Sequence, residues 1–339
     1  MRNETRQHYH AYLSQLAALN GVPLDAVTSK FTVTPNVQQR LETKVQDSSA
    51  FLKSINIMGV SEQEGEVLGL GVGSTIASTT DTTKLDRQTS DVHMVDSKNY
   101  RCEQTNYDTH LRYATLDAWA RFPDFQTRVR DSIIQRMALD RMMIGFNGTH
   151  RVATSDRAAN PLLQDVNTGW LEKIRQKCPQ RWMKEIAAGS GKVSVGAAHE
   201  FKNLDAVVYS VVNEMIEPWF REDTQLVAIL GRGLLADKYF PLVNAIQPPT
   251  EQKAAQDLIT SQKRVGNLQA VSVPYFPANA ILVTRLDNLS IYWQEGTQRR
   301  SVIDNPKRDR IETYQSSNDA FVIEDYGCAA LIENIELVA

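Results

Sequence analysis

Apolar residues near the amino terminus fall at helical spacing. Tyr9, Tyr12, Leu13, Leu16 and Leu19 recur three and four residues apart until Asn20-Gly21, which predicts an amphipathic helix with a glycine stop. A second helix is predicted from Pro35, with Thr34 as N-cap and Val37, Leu41 and Val45 as its stripe. Each stripe is narrow, so each helix must bury it on something else. The stretch between them, VTSKFTVTP, is short, polar and β-prone. It reads as an exposed connector of the kind proteases cut. The whole amino-terminal region reads as an arm that docks.

A short β-like run follows at 55–60, and Tyr107, Thr109, Leu111 and Tyr113 alternate with polar neighbours as a second strand does. Between them lies a long stretch rich in Gly, Ser, Thr and Asp, with Gly69, Gly71 and Gly73 at alternate positions. Loops of that length inside a compact domain usually have a function. The clearest helix of the chain begins near Pro123: Phe125, Val129, Ile133 and Met137 lie four apart, and Ile134, Met142 and Met143 widen the stripe. It would span about 30 Å before Gly145 to Gly148 end it. Arg128, Arg130, Asp131, Arg136, Asp140 and Arg141 are assigned to the rest of its surface, either as a solvated face or as contacts between subunits.

NPLLQDVNTGWLEKIRQKC reads as a further helix ended by Pro179. The glycine-rich segment 187–201 reads as a polar linker and a domain boundary. Asn203 then caps a helix whose face is Leu204, Val207, Val208, Val211, Val212, Met215, Ile216 and Trp219, with Pro218 ending or kinking it. QLVAILG reads as a buried strand, RGLLADKYFPLVN as a short helix broken by Pro241, and AVSVPYF and AILVTRL as strands. Two or three more strands close the chain. The pattern is α+β, with helices and strands interspersed and no βαβ repeat.

Composition narrows the function. The chain has 339 residues, 42% of them hydrophobic, and a net charge of −3. It has the material for a sizeable core, and it lacks the basic excess of a protein built to grip nucleic acid. Cys102, Cys178 and Cys328 are scattered without metal-ligand spacing, as free thiols in a reducing compartment are. No apolar stretch reaches membrane-spanning length. Catalytic and cofactor patterns fail one by one. The glycines are spaced G-x-G-x-G without a following helix, so they do not form a dinucleotide fingerprint, and GSGK lacks the rest of a P-loop. No histidine pair suits a metal, and no G-x-S-x-G elbow exists. Asp304, Asp309 and Glu312 share a turn with Lys307, Arg308 and Arg310, as in a solvated face or a subunit contact. No catalytic residue, cofactor or metal is therefore expected.

Long stretches of the chain resemble one family. LRYATLDAWARFPDFQTRVRDSIIQRMALDRMMIGFNGTHRVATSDRAANPLLQDVNTGWLEKIR, GRGLLADKYFPLVN, SQKRVGNLQAVSVPYFPANAILVTRLDNLSIYW and NPKRDRIETYQSSNDAFVIEDY are similar to the major capsid protein of P2-like tailed phages. The likeness runs from MRNETR almost to the last residue. It implies the HK97-like α+β capsid fold: an N-terminal arm, an extended hairpin called the E-loop, a peripheral domain with a spine helix, and an axial domain. Mapped on this chain, these are an amino-terminal segment 1–31 removed on maturation, the arm 32–60, the E-loop 61–105, the peripheral domain 106–200 and 286–339, and the axial domain 201–285. The resemblance further implies cleavage between Phe31 and Thr32. It implies subunit contacts through Lys84, Asp86 and Arg87 of the E-loop and a charged spine face of Arg128, Arg130, Asp131 and Arg136. It implies pentamers and hexamers in an icosahedral head around double-stranded DNA, with an internal scaffolding protein or protease and portal and other head proteins as partners, no membrane, and assembly in the bacterial cytoplasm. Some HK97-like shells are cross-linked through lysine; P2-like shells resemble the uncross-linked type. The rival readings are a scaffold or tail subunit, or an enzyme with an unrecognised site.

Overall fold

The computed structural model describes all residues except 73–76, 85, 88, 90–92, 120, 121, 123, 124, 237, 239–262 and 339. Gly73, Pro123 and Pro241, named above, lie outside the described residues.

One long strand organises the larger, seven-stranded sheet. It runs over Arg310–Ile323, 14 residues of mostly β-branched, aromatic and small side chains. On one side it pairs antiparallel with Leu289–Gln294 and Arg299–Asn305. These two strands meet at a step in register, where Gly296 takes φ 69°; a left-handed turn residue with no Cβ suits that step. On the other side it pairs with Glu103–Asn106 and Thr109–Arg112, from Glu103 opposite Asp319 to Arg112 opposite Arg310. Asn56–Val60 lies parallel to Leu289–Gln294, and Phe31–Thr32 pairs antiparallel with Arg299 and Arg300.

The second sheet has six strands, in the order Arg264–Val265, Leu268–Val271, Leu226–Leu230, Ile281–Arg285, Ala330–Ile332 and Trp182–Met183. Leu226–Leu230 is buried at every position, as expected of a central strand covered on both faces. The helix Leu204–Met215 covers one face with Leu204, Val207, Val208, Val211 and Val212. Its start is fixed by the Asn203 side chain, which accepts the Ala206 N–H at 2.9 Å. That cap is worth about 1 kcal/mol.

Between the two sheets lies an aromatic core. Phe146 packs against Phe51, Trp170 and Phe276 at centroid distances of 5.4, 5.2 and 5.1 Å, and Trp170 meets Phe321 at 5.3 Å. Trp170 is fully buried, and its Nε1–H donates to the Ser290 carbonyl at 3.1 Å. The long helix Phe125–Asn147 reaches this core at Gly145. A Cβ there would lie 2.3 Å from the Trp170 ring.

Four expectations are corrected here. Trp219 is 53% exposed: Pro218 ends the preceding helix at Met215 and opens a separate turn, Pro218–Arg221, which carries Trp219 off the buried face. Only Trp170–Lys177 of the expected helix before Pro179 is helical. Upstream, side chains take backbone donors a helix would use: Gln164 accepts the Leu162 N–H at 2.9 Å and Asn167 accepts the Thr168 N–H at 2.8 Å. The expected linker holds a strand, Val193–Val195, which pairs with Ile335–Leu337 and buries both valines. Its glycine turn is held by Glu185, which accepts the N–H groups of Gly189 and Gly191 at 3.0 Å each. Tyr113 starts the helix Tyr113–Trp119 instead of extending the strand.

Gly145→Ala separates packing from helix propensity. Propensity alone would favour alanine by about 1 kcal/mol, whereas the clash with Trp170 is expected to cost about 2 kcal/mol. Urea unfolding should show a lower midpoint for the variant.

Candidate assembly surfaces

The glycine-bearing stretch is a hairpin. Glu64–Val72 and His93–Arg101 pair antiparallel from Glu64 opposite Arg101 to Val72 opposite His93. Gly69 sits opposite Asp96 and Gly71 opposite Met94, so these glycines lie within a ladder. Much of the expected polar loop is therefore strand. At about 3.3 Å per residue, nine residues reach about 30 Å. Among the described residues no third strand joins this pair.

The root of the hairpin is anchored firmly. Cys102 is fully buried, and its N–H donates to the Gln63 carbonyl at 2.8 Å. Burial pushes its thiol up to about 12. The Tyr100 ring meets Tyr292 edge-on at 5.1 Å. An ionic chain runs outward from the body: Arg151 to Glu103 at 3.0 Å, Glu103 to Arg101 at 2.8 Å, Arg101 to Glu64 at 3.0 Å. Beyond the strands, Lys84 is 79% exposed and pairs with Asp81 of its own loop at 3.4 Å. Hydrogen bonds from the Thr83 hydroxyl and N–H hold the Asp81 carboxyl below its usual range. Asp86 and Arg87 are exposed.

Along the long helix the buried face is Ile134, Met137, Ala138, Met142, Met143, Ile144 and Phe146. Arg128, Arg130, Asp131 and Arg136 are exposed, as read from the sequence. Arg130 pairs with its neighbour Asp131 at 3.0 Å, and Arg136 pairs with Asp140 and donates to the Tyr275 hydroxyl at 3.4 Å. Arg141 does not belong to that exposed set. It is fully buried, and this corrects its placement on the solvated face. Its guanidinium donates to both oxygens of Glu42, one at 3.1 Å, and to both oxygens of Asp319 at 3.2 Å. Glu42 and Asp319 are buried as well. Asp319 also accepts the Ser317 hydroxyl at 3.1 Å and the Tyr107 hydroxyl at 3.3 Å. Burial raises the Glu42 carboxyl above its ordinary range; Arg141 opposes that rise and Asp319 adds to it.

Glu42 lies on Pro35–Asp47, whose buried residues are Gln38, Glu42 and Val45. The seat is thus more polar than the Val37, Leu41, Val45 stripe implied, with Val37 and Leu41 only half-buried. One sequence signal did exist. Arg141 stands among Met142, Met143 and Ile144, at helical spacing from Ile134, Met137 and Ala138.

The amino-terminal helix Asn3–Asn20 docks through Leu13, Leu16 and Ala17. With Val27, Phe31 and Val33 these residues cover Val302 and Ile311 at the far end of the larger sheet. Asp117 accepts the Arg2 N–H at 3.0 Å and the Thr5 hydroxyl at 2.6 Å. Phe31 is only 8% exposed and pairs with Arg300, while Thr32 is exposed and pairs with Arg299. The expected open connector is therefore a sheet edge. Its apolar residue fills a cluster, and its backbone completes a ladder.

A family model described as phage major capsid protein, P2 family, matches residues 8–335. The chain belongs to this family. A protein of Escherichia phage P2 named capsid proteins is 50% identical over 99% of this chain and 96% of its own length. The major capsid protein of Serratia phage KSP20 is 42% identical over 99% of this chain and 97% of its own. A chain of the satellite phage P4 procapsid structure, which includes the size determination (Sid) protein, superposes with a TM-score of 0.83 at 48% identity, covering 100% and 99% of the two chains. A capsid chain of an empty GTA particle, 15% identical with a TM-score of 0.51 over 85% of this chain and 90% of its own, shares the fold.

The P2-family capsid protein carries the HK97-like α+β fold. The residues expected to make contacts or to be cleaved fall in separate places. Lys84, Asp86 and Arg87 lie beyond the hairpin strands, the exposed arginines lie on the long helix, and Phe31–Thr32 lies at a sheet edge. Among the described residues no group of three His, Cys, Asp or Glu could hold a metal, and no helix is long and apolar enough to cross a membrane.

Burial should separate the arginines in solution. Arg141→Ala is expected to lower unfolding free energy by about 3–5 kcal/mol, since two buried carboxylates lose their counter-charge. Arg136→Ala should change it by less than about 1 kcal/mol. Urea titration of both variants checks the contrast.

Proposed function

We propose that copies of this capsid protein associate into pentamers and hexamers that tile an icosahedral head around double-stranded DNA. The observation that carries this reading is the hairpin, a two-stranded sheet of its own rooted firmly in the body. A lone hairpin is marginal in water, and its reach suits burial on a neighbouring copy. Ordering on assembly would then supply the contacts a monomer lacks. The similarity to a procapsid chain supports the same reading.

In that frame 32–60 is the arm, 61–105 the E-loop, 106–200 and 286–339 the peripheral domain with its spine helix, and 201–285 the axial domain. Lys84, Asp86 and Arg87 meet the next subunit, and Arg128, Arg130, Asp131 and Arg136 form a contact face. Shells are held without covalent cross-links, as the resemblance to P2-like capsid proteins implies; Lys84 pairs with Asp81 of its own loop at 3.4 Å. The net charge of −3 suits a container that encloses DNA without reading its sequence. The partners are further copies, an internal scaffolding protein or protease, and portal and other head proteins. The protein is a component of the virion, assembled in the host cytoplasm, and performs no catalysis.

Maturation removes 1–31 by cleavage between Phe31 and Thr32. Because Phe31 is buried and paired, the strand must first peel from Arg299 and Arg300.

Two measurements test these readings. Deleting 75–89, several of which lie outside the described residues, should leave a folded subunit by circular dichroism and no shells by electron microscopy. Shells of normal size from the deletion would refute the hairpin's role. Mass spectrometry of mature particles should find subunits beginning at Thr32; intact amino termini would refute the cleavage.

A further inference from the structure

The buried cluster holds two carboxylates and one guanidinium, one negative charge more than positive. Arg141 and Asp319 form a complete pair by themselves, with Nε to Oδ2 and Nη2 to Oδ1 both at 3.2 Å. Ser317 and Tyr107 add hydroxyl donors to Asp319. All four belong to the long helix, the central strand and the strand connection beside it. Glu42 is the additional member, brought by Pro35–Asp47.

The other anchor of that helix is polar too. Gln38 donates Nε2–H to the Gln294 carbonyl at 3.1 Å and accepts the Gly296 N–H at 3.1 Å. Val45 is its one fully buried apolar side chain. Lifting the helix would expose Val45 and the half-buried Val37 and Leu41, and it would leave behind a charge-balanced pair. Keeping it docked with Glu42 ionised holds an uncompensated charge out of water, which is costly.

We propose that Pro35–Asp47 is a proton-linked latch, tightened when Glu42 takes up a proton and loosened when it ionises. A protonated Glu42 keeps an acceptor oxygen for Arg141 and removes the excess charge. The charged and titratable groups packed against it are Arg141, Asp319 and Tyr107. The sign follows from the raised carboxyl of the docked state. The extra hold is full below the ordinary carboxyl range and is lost as pH rises through the raised value. The latch is a property of one subunit, so shell formation neither supports nor removes it.

Hydrogen exchange of the full-length chain tests it. The ratio of amide protection in Pro35–Asp47 to that in Leu204–Met215 cancels the intrinsic pH dependence of exchange. In the wild type this ratio should fall with rising pH, by up to about tenfold per pH unit inside the titration window. Glu42→Gln should abolish the slope and be at least as protected as wild type at high pH. Asp319→Asn, which balances the cluster from the other side, should also abolish it and stay protected. A ratio independent of pH in the wild type, a slope surviving in Glu42→Gln, or weaker protection of Glu42→Gln at high pH would each overturn the latch.

Discussion

A guanidinium sealed from water fixes how the parts of this capsid protein meet. Arg141 reaches Glu42 across 99 positions of sequence and Asp319 across 178. Moving such charges out of water costs several kcal/mol each, and that cost is offset only when every donor finds an acceptor in good geometry. Here Arg141 keeps Asp319 without the arm helix, but its Nη1 finds an acceptor only when the arm helix, the long helix and the central strand stand in one arrangement. The cluster therefore specifies an arrangement more than it adds stability. Apolar packing around Trp170 supplies much of the cohesion nearby, but apolar contacts tolerate small slips that a bidentate pair does not.

The rest of the architecture divides between rigid body and projecting parts. Two sheets share an aromatic core, and the long helix packs into it. From this body the hairpin projects on a root of aromatic and ionic contacts, while the amino-terminal segment lies against the sheet through an apolar cluster. A body that keeps its shape and appendages that find burial elsewhere suit a protein whose copies must fit together in many places at once.

Much of the local structure was legible in the sequence because it depends on near neighbours. The Asn203 cap, the apolar face of Leu204–Met215 and the buried run at Leu226 follow from spacing alone. The capsid fold itself came from resemblance; periodicity reached only α+β. What could not be read depended on distant partners. Arg141 looked solvated because its carboxylates lie far away in sequence. Phe31 looked exposed because the strand it completes, Arg299–Asn305, follows more than two hundred and fifty residues later. Trp219 was misplaced for a local reason: a proline can redirect a helical stripe as well as end it.

The position of Arg310–Ile323 has a consequence in time. Every strand bonded to it is made earlier by the ribosome, from Glu103–Asn106 to Arg299–Asn305. Until that stretch emerges, these strands have no common partner and Arg141 lacks its aspartate. A nascent chain cannot complete the larger sheet, however many neighbours surround it. Synthesis order thus sets when the sheet can close: a chain truncated before this strand lacks the partner that unites the other four.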